Sequence, residues 1–272
     1  MTFHVLALGS GRPVLMLHGF PESRWSFRHN APALAAAGFR VYVPDLKGYG
    51  LTDKPKPGTP LGDYRPSVLS AEIAELILAL GYQHMDIVGH DWGGLILGSM
   101  MITARHRIDR AVLVNAPLRR FVPWRPRHIY FFNLPSLPER RFWRAPEAFV
   151  TEIFDHWTAP KNRHGISPDE ITRYVREFQR GGSISCALAY YRALRHDLPF
   201  ISRAMLSPPK DVPQSLVLFG AEDPIMPEIV ARWAHADLPG SELVLVPGAG
   251  HFVQSESPER FNREVLRFLG AA

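Results

Sequence analysis

The stretch Met85-Asp86-Ile87-Val88-Gly89-His90-Asp91-Trp92-Gly93-Gly94 decides how this chain is read. Met85–Val88 has strand character, and helix-forming text begins at about residue 93. Between them lies a turn of the form Gly-x-nucleophile-x-Gly, which lifts one side chain above a sheet. Gly89 and Gly93 fit because that turn brings two backbones close together. The helix that follows directs the positive end of its dipole toward Asp91. The other role open to Asp91 is an ordinary N-terminal cap.

Aspartate at that position selects a chemistry. A serine that attacks a saturated carbon leaves an ether, which water does not readily cleave. A carboxylate leaves an ester, which an activated water hydrolyses at the carbonyl of Asp91. The turn therefore points to alkyl transfer from an epoxide or an alkyl halide and away from ordinary ester hydrolysis.

Outward from the turn, short apolar runs alternate with helical text. Val14–Leu17, Arg40–Val43, Ala111–Val114, Leu216–Phe219 and Leu243–Val246 join Met85–Val88 as expected buried strands. Helices are expected at about 26–37, 67–80, 93–105, 226–237 and 258–269. This alternation predicts an α/β fold with a mostly parallel sheet flanked by helices. From Leu118 to Ser207 the rhythm breaks into helical, aromatic text with proline-rich edges. The expected organisation is a core of residues 1–117 and 208–272, with a helical cap inserted at 118–207.

Two further loops complete a site. Leu15–Leu17 leads into His18-Gly19-Phe20-Pro21, beside the nucleophile turn in such a fold. The N–H groups of Phe20 and Trp92 would form an oxyanion hole, where one donor contributes about 3–4 kcal/mol. Leu243–Val246 leads into Pro247-Gly248-Ala249-Gly250-His251-Phe252, a glycine-rich loop able to aim His251 at the site. Leu216–Phe219 leads into Gly220-Ala221-Glu222-Asp223. Asp223 is the expected partner of His251, with Glu222 as its competitor. The order along the chain is nucleophile, acid, base.

Length and composition bound the rest. The 272 residues, 46% hydrophobic and 21% charged, suit one large domain with an insertion. The net charge of +5 is unevenly spread: residues 118–207 carry 15 basic against 8 acidic residues, the remainder 16 against 18. The basic residues fall on amphipathic helical text such as Arg173, Arg176 and Arg180 without a nucleic-acid motif, so a solvated surface is expected. No apolar run approaches the ~18–20 residues of a membrane span, and no signal peptide is evident. The lone Cys186 excludes an internal disulfide, and a reducing, cytoplasmic setting is expected. No metal or organic cofactor motif is present.

Taken together, these segments resemble the epoxide hydrolases of the α/β-hydrolase fold. The resemblance runs from about Val14 to the C-terminus. It is carried by His18-Gly19-Phe20-Pro21, Asp45-Leu46-Lys47-Gly48-Tyr49-Gly50, Gly89-His90-Asp91-Trp92-Gly93-Gly94, Gly220-Ala221-Glu222-Asp223 and Gly250-His251-Phe252. It implies a small apolar epoxide and water as reactants, no nucleic-acid or membrane partner, and leaves a homodimer open. It also implies two cap residues that hydrogen-bond the epoxide oxygen. Ala189-Tyr190-Tyr191-Arg192-Ala193 matches one, with Tyr191 as donor and Tyr190 turned about 100° away. The other family position, usually tyrosine, falls in Arg127-His128-Ile129-Tyr130. The match gives His128, with Tyr130 as the alternative. A histidine there would add a pH dependence near 6.5 that tyrosine lacks. His18, Pro21, Tyr130 and Phe252 are expected around the substrate. Phe3–Leu8 matches the family's second strand, so the first is shortened or absent here and a sheet edge would be exposed. Haloalkane and fluoroacetate dehalogenases share the Asp–His–acid set. However, Phe20 stands where many of the former have Asn, and Trp92 and Leu95 stand where the latter have Arg. A non-catalytic binding protein on the same fold is the remaining alternative.

Overall fold

The computed structural model describes residues 1–55, 61–120, 122, 127–197 and 211–270. Among the described residues seven strands form one sheet: β1 (Val5–Leu8), β2 (Arg12–Leu17), β3 (Phe39–Pro44), β4 (Met85–His90), β5 (Ile108–Val114), β6 (Gln214–Gly220) and β7 (Glu242–Val246). Their spatial order is β1-β3-β2-β4-β5-β6-β7. Only β1 runs antiparallel, pairing Val5 with Pro44 and Leu8 with Val41. It is the outermost described strand on its side, with Leu6 exposed, as expected of a sheet edge.

The central strands are apolar almost throughout because helices cover both faces. Alternate residues point to opposite layers. Val14 and Met16 enter the layer under α1 (Ala31–Ala36) and the C-terminal helix Pro258–Leu269. Leu15 and Leu17 enter the other, with α2 (Pro66–Ala79) and α3 (Trp92–Thr103). The helix expected at 26–37 is divided into a short 3-10 turn, Arg24–Phe27, and α1. Pro32 explains the division, since proline is accommodated in the first turn of a helix and not in its interior.

Between β5 and β6 the regular structure of the described chain is helical: α4 (Arg127–Phe132), α5 (Leu137–Arg144), α6 (Pro146–Trp157), α7 (Pro168–Gln179) and α8 (Ser183–Ala193), with short 3-10 turns at Pro160–Asn162 and Leu194–Asp197. No strand interrupts this stretch among the described residues. Ser167 opens α7 with a reciprocal capping box to Glu170. The insertion's expected boundary at 207–208 lies outside the described residues. After β6 come α9 (Glu228–Asp237), the short α10 (Val253–Glu256) and α11 (Pro258–Leu269). The parallel strands end beneath the insertion, at the sheet edge where open α/β sheets place their sites.

Candidate active site

Asp91 follows β4 with φ 50° and ψ −113°, a conformation that strains a non-glycine residue. It stands at the N-cap position of α3, yet its side chain makes no capping hydrogen bond. The carboxylate instead accepts from the Phe20 N–H at 2.8 Å, and its other oxygen lies 3.5 Å from His251 Nε2. Glycine is required around it by space. A Cβ on Gly89 would lie 2.5 Å from the Gly93 carbonyl oxygen, one on Gly93 2.2 Å from that of Leu17, and one on Gly19 2.4 Å from the Asp91 Cβ. The same tightness brings the Phe20 amide against Asp91. The Trp92 N–H is the first of α3, where a helix offers no internal acceptor.

His251 is fully buried, and its Nδ1 meets Asp223 Oδ2 at 2.8 Å. Glu222 is exposed, so the pairing falls to Asp223 alone. Three more donors fix that carboxylate: Asn115 Nδ2 at 2.7 Å and the N–H groups of Ile225 and Met226 at 2.7 and 2.9 Å. Asn115 itself takes φ 41° at the end of β5 and accepts from the Gly220 N–H at 3.2 Å. It thereby joins the end of β5 to the loop carrying the acid. From sequence Asn115 reads only as a strand end. An Asn just past a strand, tolerant of positive φ, is the one signal it offers.

A second buried network, unexpected from sequence, lies under the base. His90 donates through Nε2 to the His251 carbonyl at 2.9 Å, and its Nδ1 is 3.0 Å from Glu22 Oε2. Gln254 Nε2 reaches both Glu22 oxygens at 3.1 Å. The carbonyl can only accept, so Nε2 must carry a proton. Gln254 Nε2 also lies 3.2 Å from His90 Nδ1, which closes the network.

Electrostatics follow from this packing. Burial pushes the Asp91 carboxyl up, but His251, His90 and the Phe20 N–H outweigh it and hold it below the usual carboxylate range. Burial pulls His251 down, but Asp223 and Asp91 raise it to about 10. Burial, then Asp91, drives the Tyr191 hydroxyl well above the ordinary tyrosine value.

The insertion closes the site from above with rings. His128 lies between Trp157 and Tyr191, at centroid distances of 4.4 and 5.6 Å. Trp157 stands edge-on to His251 at 5.3 Å, and Tyr191 to Trp92 at 5.0 Å and to Phe20 at 5.5 Å. Tyr191 Oη and Trp92 Nε1 are buried beside the Asp91 elbow, and with His251 Nε2 they lack a well-formed hydrogen bond among the described residues. Tyr190, one position before Tyr191, donates instead to the Lys47 carbonyl at 2.8 Å. A cavity of about 340 Å³ opens beside His128, Phe132, Trp157 and Ile225.

Not every expected residue faces this space. His18 has both ring nitrogens occupied by backbone: Nδ1 with the Gly19 carbonyl at 2.9 Å and Nε2 with the Leu46 N–H at 3.0 Å. It fixes the loop that carries Phe20 and is not free to contact substrate. Pro21 is buried behind a cis bond to Phe20. Tyr130 is 62% exposed, whereas His128 meets Tyr191, so the geometry favours His128 as the partner donor. The pH dependence expected of His128 is revised, because burial lowers its pKa to about 3 and keeps the ring neutral near pH 7. Phe252 packs 5.2 Å from His251 and stacks on Trp157.

Residues 12–258 match the model of the alpha/beta hydrolase fold family. The AB hydrolase superfamily protein YfhM of Bacillus subtilis is 27% identical over 99% of this chain and 94% of its own length. Epoxide hydrolase 3 of Xenopus tropicalis is 29% identical over 99% of this chain and 75% of its own. Epoxide hydrolase A of Mycobacterium tuberculosis is 28% identical over 95% and 91%. Among solved structures, epoxide hydrolase VrEH1 of Vigna radiata superposes with a TM-score of 0.84 at 25% identity, covering 98% of this chain and 93% of that one.

Proposed function

The chain belongs to the α/β-hydrolase fold family, and from that premise we propose that it is an epoxide hydrolase converting an epoxide to a vicinal diol through an ester on Asp91. The observation that carries this reading is Asp91 itself: a strained, buried carboxylate that caps nothing, held by the Phe20 N–H and facing His251 Nε2.

The epoxide oxygen takes hydrogen bonds from Tyr191 and neutral His128 while Asp91 attacks a ring carbon from below. The C–O bond breaks, the ester bond forms, and the alkoxide takes the Tyr191 proton. In the free enzyme His251 is an imidazolium, raised by two carboxylates. Esterification removes the Asp91 charge, so His251 becomes more acidic and its proton returns to Tyr191. The neutral imidazole then takes a proton from water, whose hydroxide adds to the Asp91 carbonyl carbon. The Phe20 and Trp92 N–H groups hold the oxyanion. Collapse expels the diol alkoxide, which takes the remaining proton of the added hydroxyl. Asp91 returns as carboxylate and His251 as imidazolium.

Residues 118–207 act as the cap. Small apolar epoxides and water are the reactants. Among the described residues no helix is long and apolar enough to cross a membrane. The buried free thiol of Cys186 fits a reducing cytoplasm, and a homodimer is the assembly to test by sedimentation.

Halide displacement is the second reading. It is favoured by the buried indole N–H of Trp92, the residue after Asp91, which has no well-formed hydrogen bond among the described residues. A panel of styrene oxide, an aliphatic epoxide, a bromoalkane and fluoroacetate separates the two: diol is expected, and halide without diol reverses the assignment. With His251→Gln, ring opening is expected to continue and the protein to gain the mass of one substrate. Normal turnover by that variant with no adduct would refute the two-step scheme.

A further inference from the structure

The base loop is held at three consecutive N–H groups, and each bond leads to the insertion. The His251 N–H donates to the Trp157 carbonyl, at the end of α6, at 2.9 Å. Its two neighbours both donate to Glu256, the last residue of α10: Gly250 N to Oε2 at 2.9 Å and Phe252 N to Oε1 at 3.0 Å. The same carboxylate accepts from the insertion, from Ala159 N at 2.9 Å and Asn162 Nδ2 at 2.8 Å. Asn162 also donates to the Gly248 carbonyl at 3.0 Å. The approach is close enough to require glycine: a Cβ on Gly250 would lie 2.2 Å from the Ala159 nitrogen.

Building on the proposed reaction, we infer that Glu256 is a positioning residue for His251, a joint through which the seating of the insertion sets where the base stands. Four N–H donors, two from each side of the seam, converge on one carboxylate. A charged acceptor makes strong, directional bonds to such donors. No other described side chain bonds the N–H on both sides of His251. Asp91 is fixed independently, by the turn from β4 into α3 and by Phe20.

The two half-reactions therefore depend on Glu256 unequally. Ring opening needs Asp91, His128 and Tyr191, none of which hydrogen-bonds Glu256 or Asn162 among the described residues; His128 meets the joint through its ring contact with Trp157. Hydrolysis needs the His251 Nε2 lone pair aligned on a water, and misplacement of about 1 Å costs about 100-fold.

The experiment is rapid quench with styrene oxide, with intact-protein mass spectrometry of the wild type, Glu256→Gln and Asn162→Ala. Glutamine keeps the length but presents an N–H₂ group to at least one of the four donors. For Glu256→Gln, ester formation is expected within about three-fold of wild type and ester hydrolysis slower by about 10- to 100-fold, so the alkyl-enzyme becomes the main species at steady state. Asn162→Ala removes one donor to Glu256 and the bond to the Gly248 carbonyl but leaves Gly250, Phe252 and Ala159 on the carboxylate; it is expected to slow hydrolysis alone by about two- to five-fold. Equal losses in both half-reactions, or an unchanged partition between them, would overturn the inference. If Glu256→Gln does not fold, Asn162→Ala decides on the same criterion. Absence of any ester in the wild type and in His251→Gln would instead strike the epoxide reading. Turnover with an unaltered partition in the two joint variants strikes only the role of Glu256.

Discussion

The nucleophile turn and the helical insertion approach one substrate from opposite sides, and they are specified on different terms. Around Asp91, three glycines leave no room for a Cβ, and an amide is held against the carboxylate. Gly89 is crowded by Gly93 close by, whereas Gly93 is crowded by Leu17 and Gly19 by Asp91, so the turn after β4 and the loop after β2 fix that geometry together. Above it, His128, Trp157 and Tyr191 come from α4, α6 and α8 and meet only because those helices pack together. Chemistry that must be exact to a fraction of an ångström is built on the sheet edge. The rings that face it, His128 and Tyr191, are carried on the helices between β5 and β6.

The contrast predicts a graded set of losses. Asp91→Asn removes the nucleophile and is expected to lower kcat/KM by more than about 10⁴-fold, with no adduct by mass; residual activity near wild type would place the chemistry elsewhere. Tyr191→Phe removes one donor and should cost about 100-fold, as loss of an oxyanion donor does. His128→Phe should cost about ten-fold, because a neutral imidazole is a weaker donor that shares the task with Tyr191. Across pH 5 to 8 that variant and the wild type should have the same profile shape, since His128 is already neutral there. A wild-type inflection near 6.5 that disappears in His128→Phe would show the ring to be solvated.

The smallest effect concerns stability. His251 is raised in the folded protein from 6.5 to about 10. Its contribution is therefore complete below about 6.5 and is lost as pH rises toward 10. The melting temperature should fall across that window, and His251→Gln should flatten the fall. An equally steep decline in the variant would assign it to other groups.

Much of this architecture is legible in the residue order. The strands at 14–17, 85–88, 111–114 and 216–219 are apolar runs because both their faces are covered, and they lie inside β2, β4, β5 and β6. Asp91, Asp223 and His251 each follow such a strand in glycine-rich text, so their convergence at one sheet edge can be read from order and spacing. His18 is misread from sequence because a histidine near a site looks the same there whether it meets substrate or backbone. Asn115, the Glu22–His90–Gln254 network and Glu256 escape a sequence reading because their partners lie far away along the chain. Asn115 and Asp223 are 108 residues apart, and Glu256 and Ala159 are 97.

The residue pattern is thus sufficient for the parallel sheet, the elbow and the convergence of Asp91, Asp223 and His251. These rest on period, on strand-to-loop junctions and on the glycines of the turns that follow the strands. Packing in three dimensions selects the rest: which cap residue faces Tyr191, that His128 is held neutral, and that the base loop is tied to the insertion through Glu256. Those properties arise from burial and from hydrogen bonds between distant segments, and such quantities exist only once the chain has closed on itself.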